Sequence, residues 1–220
     1  MATHEPIHVT KTFMPPLEEY MELLHEVWDS HRVTNDGPLF QRFERELRDY
    51  TDVDHVVCVG NGTLALHLGV RALEWEGEVI TTPFTHVATS GSLVWERCTP
   101  VFVDIDPLTL NIDPERIPAK ITRHTAGILA VPVYSNPVDF DRIEAIAAHY
   151  GVSTFYDCAH AFGARYKGRS VFAYGHLSMA SFNATKGMHT MEGGALFARD
   201  VAMEKQVRKL AYYGMDESKH

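Results

Sequence analysis

Lys186 has the clearest potential for covalent chemistry in this chain. It lies in Ser181-Phe182-Asn183-Ala184-Thr185-Lys186-Gly187, where a short apolar run gives way to a polar segment. A lysine amine forms an imine with an aldehyde and afterwards moves a proton at the substrate carbon. Glu192-Gly193-Gly194 follows closely and indicates a tight, functionally constrained loop. The alternative is a solvated surface lysine, the usual environment of this residue type.

Asp157 follows the apolar run Ser153 to Tyr156 and opens Asp157-Cys158-Ala159-His160-Ala161. In α/β sheets, ligands are contacted at the carboxyl ends of the parallel strands. A carboxylate beside a pyridine nitrogen keeps that nitrogen protonated and strengthens the ring as an electron sink. The other interpretation is an aspartate that caps the next helix, and the pattern alone favours neither.

A third candidate is the turn Gly60-Asn61-Gly62-Thr63, between an apolar run and a helical segment. Backbone N–H groups at the positive end of a helix dipole suit a phosphate. It is not a P-loop, because no Gly-Lys-Ser/Thr follows. Taken alone, the turn is better explained as an ordinary helix start capped by Asn61 or Thr63.

The elements around these residues alternate between short apolar runs and amphipathic segments. We predict strands at 56–59, 79–80, 101–103, 127–133, 153–156, 179–182 and 194–198. We predict helices on both sides of a turn at 34–38 within 15–50, and at 64–73, 87–95, 140–150 and 201–212, followed by a turn-like stretch at 214–220. This alternation is typical of an α/β fold, a three-layer sandwich with a mainly parallel central sheet covered on both faces.

Composition narrows the class of protein further. A formal net charge of -9, with no basic run, disfavours a nucleic-acid partner. Three cysteines without a CxxC pair predict neither a disulfide framework nor a metal site. No apolar run of about 18 residues predicts a membrane span, and residues 1–6 lack the pattern of a signal peptide. We therefore expect a cytoplasmic globular protein.

Six motifs occur in an order that resembles the sugar aminotransferases of the DegT/DnrJ/EryC1/StrS family. They stand for that family's TNxGP, GTxALHL, PxFTFVAT, TPVFVDIDP, DAAQA and SFxxTK elements. In this sequence they are TNDGP at 34–38, GTLALHL at 62–68, PFTHVAT at 83–89, TPVFVDIDP at 99–107, DCAHA at 157–161 and SFNATK at 181–186. The resemblance extends over nearly the whole chain and implies the large domain of the aspartate aminotransferase-like, pyridoxal phosphate (PLP) dependent transferases.

The resemblance also implies roles for single residues. Lys186 would hold PLP as a Schiff base, and Asp157 would pair with the ring nitrogen. The PLP phosphate would be bound by Gly62, Thr63 and Ser181. His86 falls where the family has an aromatic residue stacked on the PLP ring. His160 falls on the family's glutamine, which contacts the phenolic oxygen. Both histidines have a simpler interpretation as partly buried, hydrogen-bonded residues.

The implied reaction moves an amino group from an amino acid, glutamate in our expectation, to a nucleotide-linked keto-deoxy sugar. His160 and the stretch 185–194 are most similar to members acting on 4-keto-6-deoxyhexoses. Sugar dehydratases of this fold carry histidine in place of the lysine, so Lys186 disfavours that alternative. A non-catalytic or regulatory derivative of the fold is the second alternative.

The resemblance implies a homodimer whose active sites lie at the subunit interface, near segment 34–38. We expect residues 1–220 to comprise an N-terminal segment and the PLP-binding large domain. Family members continue into a C-terminal small domain, which we expect to be absent from this sequence.

Overall fold

A seven-stranded sheet forms the middle layer of the computed structural model, which describes residue 7 and residues 10–215. Stretch 1–6 and most of the turn predicted at 214–220 lie outside the described residues. The strands of the sheet are β1 (His55–Val59), β2 (Glu78–Thr81), β3 (Thr99–Phe102), β4 (Thr125–Ala130), β5 (Ser153–Asp157), β8 (Leu177–Ser181) and β9 (Gly194–Ala198). A separate two-stranded hairpin is formed by β6 (Arg165–Tyr166) and β7 (Arg169–Ser170).

The sheet order is β1-β9-β8-β5-β4-β2-β3. Strands β3, β2, β4, β5 and β8 pair in parallel. Strand β9 is antiparallel to both of its neighbours, β8 and β1. The prediction of a mainly parallel sheet is therefore confirmed, and all carboxyl ends of the parallel strands lie along one edge.

Helices cover both faces of the sheet and give the predicted three-layer sandwich. They are α1 (Leu17–Ser30), α2 (Pro38–Thr51), α3 (Gly62–Ala72), α4 (Val87–Trp95), α5 (Phe140–Tyr150) and α6 (Val201–Ala211). Successive strand residues enter opposite layers: Phe155 packs with α3, α4 and α6, whereas Tyr156 packs with α2 and α5. Because both faces are buried, the strands appear in the sequence as continuous apolar runs.

Helix α1 differs from the other helices, since none of its residues is buried. It begins after Pro16, as the sequence predicted, and its apolar side chains recur at helical spacing. Nevertheless Leu17 and Trp28 remain 65% and 70% exposed. The described residues therefore leave the apolar side of this helix without cover.

Two details of the fold differ from the prediction. Strand β4 ends at Ala130 rather than at residue 133, because Pro132 has no N–H and Val133 donates its N–H to Asn111 Oδ1 at 2.9 Å. Hairpin β6–β7 was not predicted, since two-residue strands carry no apolar run. Its turn places Lys167 and Gly168 at positive φ, as a tight hairpin turn requires.

The helices of the described part of the chain include none that is long and apolar enough to cross a membrane.

Candidate active site

A cavity of about 640 Å³ opens at the carboxyl edge of the parallel strands. Five chain segments converge there: the start of α3, the loop before α4, the residues after β4, the end of β5, and the loop after β8. All seven residues singled out from the sequence line this one cavity, namely Gly62, Thr63, His86, Asp157, His160, Ser181 and Lys186. The carboxyl edge of an α/β sheet is where such folds bind ligands.

The start of α3 forms a narrow cradle at one end of the cavity. Asn61 caps the helix, because its Oδ1 accepts the Leu64 N–H at 2.8 Å. A Cβ on Gly62 would lie 2.8 Å from Ser181 Cβ, and one on Gly194 would lie 2.6 Å from the carbonyl carbon of Asn61. Only glycine therefore lets the helix start lie against β8 and β9.

The cradle also has the donors that an anion needs. The first N–H groups of a helix have no partner within the helix, and the Asn61 cap takes up only that of Leu64. Thr63 and Ser181 add hydroxyls that line the same cavity. The capping interpretation of Asn61 is thus correct, and the cap leaves the Gly62 and Thr63 amides at the positive end of the helix dipole.

Asp157 is the last residue of β5 and is 5% exposed. Its Oδ1 accepts the Ala159 N–H at 3.2 Å, and its Oδ2 accepts the Thr89 hydroxyl at 2.7 Å. The aspartate therefore closes the turn after the strand, rather than capping a helix, while it lines the cavity. The helix-capping interpretation of Asp157 is therefore wrong, and its pairing with a ring nitrogen stays a prediction.

Lys186 lies in the loop that joins β8 to the antiparallel β9. The base of the loop is closed by two hydrogen bonds, from Phe182 N to Gly193 O at 2.8 Å and from Thr190 N to Phe182 O at 3.0 Å. Lys186 is half-buried, and burial lowers the pKa of its ammonium group, while the nearby Asp157 charge opposes that shift. A lowered pKa increases the fraction of free amine near neutral pH.

The two histidines lie on the rim of the cavity. His86 is the N-cap residue of α4, and its Nδ1 accepts the Ala88 N–H at 3.2 Å. His160 lies parallel to the ring of Tyr134, with centroids 6.2 Å apart. Burial lowers the pKa of His160 and the Lys186 charge lowers it further, while the Asp157 charge opposes the shift, so the charged form of the ring is disfavoured.

Several lining residues had no role assigned from the sequence. Thr85 lines the cavity and Thr89 lies next to it; both belong to the motif at 83–89, so their positions were marked, but the contact of Thr89 with Asp157 was not. Tyr134 carried no signal, because its φ of 52° occurs without a glycine in the turn. Segment 34–38 lies apart from this cavity, in a depression that it shares with Arg32 and Arg208.

This architecture, with its cavity at the carboxyl edge of the sheet, is that of the fold-type I aminotransferases. The chain belongs to the DegT/DnrJ/EryC1/StrS aminotransferase family, whose model matches residues 17–220. The family resemblance drawn from the six motifs is therefore confirmed.

Curated and solved relatives agree with this placement. A dTDP-4-amino-4,6-dideoxy-D-glucose transaminase from Shigella dysenteriae is 45% identical over 215 residues, which are 97% of this chain and 59% of that protein. The structure of DesI in the presence of its TDP-sugar product matches with a TM-score of 0.95 and 33% identity, over 99% of this chain and 55% of DesI. NtdA from Bacillus subtilis with bound cofactor PMP matches with a TM-score of 0.85 and 28% identity, over 91% of this chain and 46% of NtdA. The chain thus spans about half to three fifths of the length of these relatives.

Proposed function

We propose that this chain is the cofactor-binding part of a PLP-dependent aminotransferase that moves an amino group from an amino acid, glutamate in our proposal, to a nucleotide-linked keto-deoxy sugar. One observation carries the proposal: a single cavity gathers a half-buried lysine, a buried aspartate and a glycine-built helix start. The relatives named above as a transaminase and as a protein with a TDP-sugar product support the substrate class.

The residues present fit PLP in three respects. Gly62 lets the start of α3 lie against Ser181, so the first helical N–H groups border the cavity where a phosphate would bind. Thr63 and Ser181 offer hydroxyl donors to the same phosphate. Asp157 offers a carboxylate that would pair with a protonated ring nitrogen, and Lys186 offers an amine to the aldehyde.

When bound, PLP supplies an aldehyde and a ring that withdraws electrons from the donor's α-carbon. Lys186 would hold the cofactor and, once displaced by the incoming amino group, would take the proton from the α-carbon of the donor. Its lowered pKa makes the free amine available for that transfer. Asp157 would keep the ring nitrogen protonated, because a carboxylate favours the charged form of a neighbouring base.

The histidines complete the environment of the ring in this proposal. His86 is oriented by the bond from Ala88 N–H to its Nδ1, which leaves the imidazole face free to stack on the ring. The lowered pKa of His160 disfavours its charged form, and its ring N–H would be the donor offered to the phenolic oxygen. This arrangement would place one aromatic face and one donor where the family has an aromatic residue and a glutamine.

The substrate's diphosphate needs cations that this cavity does not contain. Among the described residues that line it, Lys186 is the only lysine or arginine. We propose that the working protein is a homodimer in the cytoplasm and that residues of a neighbouring subunit complete the nucleotide site. Residues 1–220 would then form the N-terminal segment and the large domain of each subunit.

Covalent labelling tests the proposal directly. The chain is mixed with PLP, its visible absorption is recorded, and the mixture is reduced with borohydride before proteolysis and mass mapping. We expect a visible band and a single labelled peptide that contains Lys186. Lys186→Ala is expected to lose the label, whereas Lys167→Ala, which removes the exposed partner of Asp141, is expected to keep it.

Absence of the visible band and of the label in the unmodified chain would refute the proposed aminotransferase function and favour a non-catalytic derivative of the fold. A label spread over several surface lysines would equally contradict a dedicated site.

A further inference from the structure

Thr89 makes an unusual contact for a threonine in a helix. Helical threonine hydroxyls commonly donate to the carbonyl three or four residues earlier. The Thr89 hydroxyl donates instead to Asp157 Oδ2 at 2.7 Å, from α4 across to the end of β5. Thr89 is completely buried, so water does not compete for this bond.

A second hydroxyl continues the chain of hydrogen bonds. Thr85 Oγ1 lies 2.7 Å from Thr89 Oγ1, in the loop just before α4. An ionised carboxylate only accepts hydrogen bonds, so Thr89 must be the donor to Asp157. The Thr89 proton is then committed, and Thr85 must donate to the Thr89 oxygen. The acceptor at the end of the chain fixes the direction of both bonds.

Asp157 has few other ways to hold its orientation. Its Oδ1 accepts the Ala159 N–H at 3.2 Å, which is at the long end of the normal range. Without Thr89, this single long bond would leave the carboxyl plane free to rotate at the end of the strand. A carboxylate that must face a ring nitrogen needs a fixed plane, and supporting hydrogen bonds supply one.

We propose that Thr89, itself oriented by Thr85, is a positioning residue that fixes the plane and the charge of Asp157 toward the ring nitrogen of PLP. This inference rests on the proposed function, since it assigns a purpose to the Thr85–Thr89–Asp157 chain within the same site. It also explains why the loop before α4 and the end of β5 meet here. Thr85 in that loop and Thr89 in the first turn of α4 supply the hydroxyl donors, and the end of β5 supplies the acceptor.

Matched variants separate this role from simple packing. Thr89→Val keeps the shape of the side chain and removes the hydroxyl, whereas Thr89→Ser keeps the hydroxyl and removes a methyl group. Thr51→Val is the control, because Thr51 is also a buried helical threonine and its hydroxyl donates to Leu47 O in α2. PLP labelled with ¹⁵N at the ring nitrogen serves as the probe, with its dissociation constant as a second readout.

We expect Thr89→Val to weaken PLP binding about 10- to 100-fold, the range for loss of a hydrogen bond to a charged group. The nitrogen signal should shift toward the unprotonated form in the same variant. Thr89→Ser and Thr51→Val should stay within about 3-fold of the unmodified chain, and Thr85→Val should fall between them and Thr89→Val, because its bond is between neutral groups.

A measurement without cofactor completes the test. A hydroxyl proton held by Asp157 exchanges slowly, so it should give a resolved NMR signal for Thr89 that Asp157→Ala removes. Equal PLP affinity and equal nitrogen protonation in Thr89→Val and Thr89→Ser would overturn the role of Thr89 while leaving the proposed function intact. Failure of the unmodified chain to bind PLP would overturn the proposed function, and the positioning role with it.

Discussion

The two edges of the parallel sheet carry cavities of nearly equal size and opposite character. The cavity at the carboxyl edge measures about 640 Å³ and contains Lys186 and Asp157. The cavity at the amino edge measures about 620 Å³ and lies among Trp75, Ser153 and His176. Volume alone therefore does not distinguish the two.

Hydrogen bonding does distinguish them. At the amino edge, Trp75 Nε1 donates to Ser153 Oγ at 2.6 Å, and His176 Nδ1 accepts the Thr154 N–H at 3.1 Å. These groups stabilise the fold, because each one forms a hydrogen bond with a neighbouring residue. At the carboxyl edge, Lys186 and the first residues of α3 line the cavity, where they are available to a ligand. A cavity whose polar groups remain available to a ligand, instead of bonding to one another, is the better candidate for a binding site.

The largest expected effect is at Lys186. Lys186→Ala should slow the first half-reaction with glutamate about 10²- to 10⁴-fold, because proton transfer by a positioned base contributes on that scale. Stopped-flow absorbance of the PLP-loaded chain measures the rate. Non-covalent PLP binding should persist in the variant, and a rate within twofold of the unmodified chain would contradict the assignment.

Asp157→Asn should have the second largest effect and should slow the same half-reaction about 10- to 100-fold. An amide does not stabilise a protonated ring nitrogen as a carboxylate does, and each pKa unit lost at that nitrogen corresponds to about 1.4 kcal/mol. The free energy of unfolding should change little, because asparagine can still accept the Ala159 N–H. Unchanged turnover would reduce Asp157 to the residue that closes the turn after β5.

A pair of glycine variants compares the two edges directly. A Cβ on Gly62 would meet Ser181 Cβ at 2.8 Å, and one on Gly127 would lie 2.2 Å from the ring of Trp75. Gly62→Ala and Gly127→Ala should each lower the free energy of unfolding by about 1–3 kcal/mol through overpacking. Only Gly62→Ala should also weaken PLP binding, because only that glycine forms the phosphate cradle.

Urea unfolding and PLP titration on both variants provide the measurements. Equal loss of PLP affinity in the two variants would show that general destabilisation, and not the cradle, controls cofactor binding.

The smallest expected effect is a pH dependence at His160. Its pKa is lowered in the folded chain from the reference value of 6.5, so the unfolded chain binds the proton more readily. His160 therefore contributes nothing well above pH 6.5 and subtracts stability as the pH falls from about 6.5 to its folded pKa, below which the loss stays constant. The imidazole is exposed enough to be screened, which limits the effect to about 0.5 kcal/mol or less.

His160→Gln should remove this part of the loss of stability at acid pH. Urea midpoints at pH 5 and pH 7.5 should therefore differ less in the variant than in the unmodified chain. The same pH dependence in both proteins would assign the loss of stability at acid pH to other groups.

Much of the fold follows from local sequence. Continuous apolar runs such as 153–156 predict strands buried on both faces, and helix α5 begins and ends where its pattern predicts. The exposure of α1 was not predictable, because an amphipathic pattern identifies a helix without naming what covers its apolar side. Hairpin β6–β7 depends on two consecutive residues at positive φ, one of which is Lys167.

The site was predictable as far as its motifs extend along the chain. Motifs identify Lys186, Asp157 and Gly62 separately, and the order of parallel strands brings them to one edge. Contacts across the sheet could not be predicted, because nothing in the sequence around Thr89 indicates that its hydroxyl bonds a carboxylate 68 positions later. Tyr134 was missed for the opposite reason, since its backbone conformation carries no glycine as a signal.

The antiparallel strand β9 also has a consequence for synthesis on the ribosome. Strand β1 pairs only with β9, and His55 lies opposite Ala198. As the chain emerges, the apolar strand His55–Val59 has no partner until almost all of the described residues have been made. During that interval it presents an unpaired edge of the kind that nascent-chain chaperones cover. Strand β9, the last strand of the described residues, therefore completes both the lysine loop and the pairing of β1.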